Sequence, residues 1–199
     1  MAYPTVSAPY GLKPINLIGG QVFAGATRNI PIASGYATGI FNGDLVKLSS
    51  DGVIVKDEGT TSATPVGVFV GCSYTDPVLK YQLFSQQFPA GTVASDIQAI
   101  VVDDPDTLFK VAVVSGTTVI DGVGQTVVGN NMSLVQNAGD TNTGDSKVAV
   151  LSSSAATTNT LPVRVIAGVA ETVDAAGDFT EVIVKWNWGM HQYQNATGV

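Results

Sequence analysis

The sequence predicts an all-β protein, an antiparallel β-sandwich or small barrel. Three observations carry this expectation. Val, Thr and Ile number 29, 20 and 11 in a chain of 199 residues, and these β-branched types pack well on a pleated surface. Gly (22) and Pro (9) punctuate the chain with turn signals. No segment of a dozen residues sustains an apolar stripe of helical period, whereas short apolar runs recur at roughly 8–12-residue spacing.

Residues 1–20 read as an extended N-terminal arm. Pro4, Pro9 and Pro14 recur every five residues, with Tyr3, Tyr10 and Leu12 between them. Proline at this density prevents helix and discourages interior strand pairing. Such a segment is either a loose terminus or an arm docked on a neighbouring subunit. The second reading makes Tyr3, Pro4, Pro9, Tyr10 and Leu12 candidate partner contacts.

Residues 21–188 read as the β-rich body. Strands are expected over 21–32 and 44–56, the latter split at Asp51-Gly52. Asp-Gly between β-rich runs is a strong hairpin signal, because both turn positions must tolerate positive φ. Residues 65–74 alternate Val66, Val68, Val70 and Cys72 on one face with Gly or Phe on the other. Residues 76–92 are less regular and read as strand or loop. Residues 97–102 and 107–114 form a candidate hairpin through Asp103-Asp104-Pro105-Asp106. Residues 115–147, rich in Gly, Asn, Asp and Thr, read as an excursion or small insertion. Strand resumes at 148–151, and 152–160 is a polar loop. The last hairpin joins 162–173 to 179–186, with Val182, Val184 and Trp186 on one face.

Residues 189–199 read as a short C-terminal arm. Trp186 and Trp188 either anchor the last strand in the core or face a partner, because Trp, Tyr and Met are enriched at interfaces. Trp188, Met190 and Tyr193 are the candidate contacts at this end.

Charge narrows the function. The net charge is −7, and the nine Lys and Arg residues are scattered with no two adjacent. Neutralising phosphates requires clustered basic residues, so neither nucleic acid nor an anionic membrane surface is an expected partner. The N-terminus has no basic and apolar signal-peptide pattern. No apolar run approaches the ~20 residues of a membrane helix. Cys72 is the single cysteine, which excludes an intrachain disulfide and reads as a buried small hydrophobe.

Catalytic chemistry finds few carriers. His191 is the single histidine, no Gly-x-Ser-x-Gly elbow accompanies it, and an exposed tail histidine is the expectation. Asp103, Asp104 and Asp106 lack the spacing and bidentate Glu of a calcium loop. Asn131-Met132-Ser133 and Asn195-Ala196-Thr197 match a glycosylation pattern that carries little weight without a secretory signal. No catalytic, cofactor or metal residues are assigned, and a non-enzymatic protein is expected.

Five stretches carry a family resemblance: Ser7 to Pro14, Ile32 to Thr38, Phe41 to Val46, Pro65 to Cys72 and Val101 to Pro105. Together they resemble virion structural proteins of tailed bacteriophages, particularly phages of aquatic bacteria. The resemblance covers the first half of the chain and implies a capsid decoration, or cement, protein on the outer capsid surface. It implies the major capsid protein as partner. Copies of the chain itself would join it; a trimer is expected, because closed symmetric oligomers suit symmetric shells. Two other readings are a tail-tube or tail-tip protein and a glycan-binding surface module, the latter using Trp188 to Tyr193.

Overall fold

The computed structural model describes residues 9–199. Tyr3 and Pro4 therefore lie outside the described residues. Thirteen strands, with only short 3-10 turns between them, form two sheets, as the all-β expectation requires.

The chain enters through β1 (Lys13–Leu17) and then builds a six-stranded sheet. This sheet contains β2 (Arg28–Pro31), β3 (Leu45–Leu48), β4 (Ile54–Lys56), β5 (Gly67–Thr75), β6 (Gln82–Ser85) and β7 (Gln98–Val102). The order is β2-β7-β5-β3-β4, with β6 added beside β5. A parallel bridge from Ile32 to Ile54 brings its two ends together. Phe69, Cys72, Ile54, Ile40, Phe88 and Val101 form the core of this half.

The remaining strands are β8 (Thr107–Val114), β9 (Asn131–Met132), β10 (Leu134–Val135), β11 (Ala149–Leu151), β12 (Val163–Gly168) and β13 (Glu181–Trp186). Their order is β10-β11-β8-β13-β12-β9, with β1 also paired to β8. Only Ser133 separates the two end strands in sequence, so the sheet curls into a nearly closed barrel. Cross-strand partners point inward together: Met132, Val163 and Trp186; Val165 and Val184; Phe109 and Val184; Val111 and Val182; Val113, Val150 and Leu134. All are buried in one cluster, the alternation a small barrel filled by its own side chains requires.

The hairpin at Asp51-Gly52 forms, but through a wider turn in which Gly52 and not Asp51 takes positive φ. Ser49 N–H donates to Val53 O at 2.9 Å, and Gly52 adopts φ +72°. The β12–β13 hairpin also forms. Cys72 is buried.

Several expectations are corrected. Residues 97–102 and 107–114 do not pair with each other: β7 belongs to the six-stranded sheet and β8 to the barrel. Asp103-Asp104-Pro105-Asp106 is the crossing between them. Residues 115–147 are less of an excursion than expected, because Val123, Met132 and Leu134 enter the barrel core. Within 21–32 the strand is confined to Arg28–Pro31. The sheets are not wholly antiparallel, because β11 runs parallel to β8. The arm boundary at residue 20 is also too late, since Leu12 is fully buried and β1 pairs along β8.

The two halves meet through a row on the outer face of the six-stranded sheet. Leu45, Val68 and Val102 are cross-strand neighbours, and they join Leu12 in the barrel-side cluster. One glycine permits this approach, and another the close packing of β5 on β7 within the sheet. A Cβ at Gly11, which has φ +79°, would lie 2.7 Å from Gly43 O. A Cβ at Gly67 would run into the Val102 carbonyl oxygen.

Candidate functional surface

Both termini of the described chain are fastened to the body. Tyr10 is half-buried and donates its hydroxyl hydrogen to Glu181 Oε1 at 2.6 Å. Glu181 is itself buried, and Lys110 Nζ approaches its other oxygen at 3.3 Å. The Lys110 ammonium also lies over the Tyr10 ring, 5.6 Å from its centroid. Burial, then the Glu181 carboxylate, pushes the Tyr10 phenol far above its ordinary value. Pro9 and Leu12 are buried, so these two residues serve the body of this chain.

The C-terminal segment is a strap. The Gln192 amide pairs with the Leu48 backbone, accepting its N–H at 2.7 Å and donating to its carbonyl at 3.2 Å. Gln192 N–H donates to Pro65 O at 2.9 Å. The Tyr193 hydroxyl donates to Asp103 Oδ2 at 3.1 Å, the oxygen that Arg28 meets at 2.7 Å. Residues 191–193 thus hold strand β13 of the barrel against β3 and β7 of the other sheet.

His191 contradicts the expectation of an exposed tail histidine: it is fully buried. Its Nδ1 accepts the Tyr193 N–H at 3.2 Å, which places the ring hydrogen on Nε2, a buried atom without a hydrogen-bond partner. Its ring lies 5.2 Å from that of Tyr193 and 6.3 Å from that of Trp186. Burial lowers its pKa from the ordinary 6.5; backbone groups of Val66 and Asp103 and the Asp103 and Asp104 carboxylates oppose that shift. The sequence around it, polar and aromatic without strand pattern, gave no sign of burial.

The remaining candidates separate. Trp186 anchors the barrel core, whereas Trp188 is 78% exposed. Met190 is half-buried in a turn closed by its N–H to Asn187 O at 3.0 Å. Tyr193 keeps an exposed ring beside its bond to Asp103.

Sequence reasoning missed the exposed apolar residues of the β5–β6 hairpin. Val78, Leu79, Tyr81 and Phe84 crowd the β5–β6 hairpin, and Val93 is exposed as well. Val78 is 82% and Phe84 75% exposed. Strand β6 pairs with β5 alone, so its outer edge is unpaired. The alternating exposure of Gln82 to Ser85 was hidden by aromatic residues on both faces of the segment.

Buried charge elsewhere is structural. Asp44 is fully buried and accepts from Ser146 Oγ at 2.5 Å and Phe41 N–H at 3.0 Å, with Lys56 Nζ at 2.9 Å. Asp57 accepts from the N–H groups of Gly59 and Thr64. Among the described residues no three His, Cys, Asp or Glu side chains gather as a metal site. Comparison with protein-family models, curated proteins and solved structures returned no match.

Proposed function

We propose that this chain is a non-enzymatic structural protein that binds the outside of a phage capsid and stabilises the shell. Its partners in this reading are the major capsid protein and further copies of itself. The supporting observation is the convergence of the phage-like stretches. Leu12 N–H donates to Gly43 O at 3.0 Å, and Gly43 N–H donates to Phe69 O at 2.8 Å. Gly67 lies against Val102. Four of the five stretches, far apart in sequence, therefore meet at the joint between the sheets. A shared joint geometry is a reason for such stretches to look alike in proteins built the same way.

The body also suits a part that works by shape. Two packed cores and fastened termini support a rigid body, and the β5–β6 hairpin offers several exposed apolar side chains for contact. Many modest contacts per particle would hold a shell through multivalency.

Quantitative mass spectrometry of purified particles from the source tests this reading. Hundreds of copies in simple ratio to the major capsid protein are expected. A few tens of copies, or stacking of the isolated protein into rings under the electron microscope, would move it to the tail. Absence from particles would overturn the virion reading.

A further inference from the structure

The outer face of the barrel carries a depression of about 270 Å³, lined by Ile18, Arg164, Ile166, Lys185, Trp188 and Gln194 among others. Arg164 and Lys185 face each other across the β12–β13 ladder. Lys185 is paired with Asp106 at 2.6 Å. Arg164 differs: among the described residues no carboxylate pairs with it.

The Arg164 guanidinium is nevertheless held in place. Its Nε–H donates to Asn131 Oδ1 at 2.9 Å and its Nη2 to Asn187 Oδ1 at 3.1 Å. Both asparagines are buried. Their own amide groups are locked by backbone carbonyls: Asn131 Nδ2 donates to Thr158 O, and Asn187 Nδ2 to Asn159 O and Leu161 O. Two neutral amides orient the cation without cancelling its charge. Among the described residues its other N–H donors have no protein partner, and a guanidinium can pair a carboxylate through two such donors.

The exposed Trp188 indole supplies a flat apolar face beside this cation, with Ile18 and Ile166 as further apolar wall and the Gln194 amide as a donor and acceptor for hydroxyls. Saturated sugar rings present weakly positive C–H groups that match the negative face of an aromatic ring. An apolar floor with a few convergent polar groups is the usual make-up of a small-ligand site. An extended acidic peptide fits less well. Strands β12 and β13 are paired on both sides, so no free edge is available for strand addition.

We infer that this depression binds a carboxylate-bearing sugar of the uronic acid class. The carboxylate pairs with Arg164, and the ring stacks on Trp188; Lys185 stays engaged with Asp106. The inference stands apart from the capsid reading.

Titration of the full-length protein with glucuronate, glucose and acetate tests it, followed by calorimetry and by the fluorescence of exposed Trp188. Saturable binding of glucuronate at millimolar or lower concentration is expected, with glucose and acetate each at least tenfold weaker. R164Q and W188A should each weaken glucuronate tenfold or more. Trp188 is a surface residue, so W188A keeps the test valid if R164Q loosens the asparagine network. No saturable glucuronate signal would overturn the proposal, as would glucose binding equally well. Equal binding of acetate would overturn the sugar and indicate an acidic side chain of a protein partner.

Discussion

Tyr10 reaches across 171 residues of sequence to donate a 2.6 Å hydrogen bond to the Glu181 carboxylate. The contact fastens the chain's beginning to the first residue of its last strand. Y10F deletes one hydrogen bond to a buried charge, an interaction worth about 1.5–3 kcal/mol. Chemical denaturation should show that loss, while L12A, removing a fully buried side chain, should cost about 2–5 kcal/mol.

The same fastening separates two truncations. Removal of residues 1–8 leaves Tyr10, Leu12 and β1 in place, so the melting temperature should fall less than on the longer cut. Removal of residues 1–14 deletes Tyr10, Leu12 and the start of β1, and should lower it by many degrees. Only the shorter truncation can therefore report on shell binding without unfolding the body; if that binding needs the N-terminal segment, it should fall while the fold persists.

Histidine 191 makes stability pH-dependent. Its folded pKa is below the unfolded value near 6.5, so the unfolded chain takes up the proton first. Above 6.5 both states are neutral at this site. As pH falls below 6.5, protonation favours the unfolded state, and stability drops until the pH passes the folded pKa. Urea midpoints measured from pH 7.5 to 5 should show this fall in the native protein, and H191F should flatten the part of the slope this residue contributes.

Cys72 should resist thiol reagents. Burial pushes its thiol pKa up to about 12, and its Sγ lies 3.4 Å from Gln87 O as a donor. Thiolate is the reactive form. Labelling at pH 8 should be at least a hundredfold slower in the native protein than in denaturant. Rapid native labelling would show that the six-stranded half opens readily.

Gly67 admits no side chain. G67A places a Cβ against the Val102 carbonyl in the β5–β7 ladder, where backbone must move. The expected cost is about 1–3 kcal/mol, the range for overpacking. G52A sits in an open turn and tests a different property, since its strain comes from φ alone; it should cost about 1 kcal/mol.

The all-β class, the Asp51-Gly52 hairpin, the β12–β13 hairpin and the burial of Cys72 were legible in the sequence. Each follows from local causes: β-branched residues, turn residues that tolerate positive φ, and alternation of period two. The partnership of strands was not legible. The Asp103 to Asp106 turn has the chemistry of a hairpin, yet it passes the chain from one sheet to the other, because a turn dictates direction and not the neighbour. Residues 115–147 looked polar enough to be an excursion, but the pair Met132 and Leu134 closes the barrel. That role depends on strands 15 or more residues away. Arg164, Asn131 and Asn187 likewise carry no shared motif; only the folding of β9, β12 and the end of β13 side by side makes them a cluster. His191 is buried for the same reason. Local sequence determined where the chain extends and turns, and the tertiary structure decided which extended pieces meet, because burial rewards contacts that no short window of sequence contains.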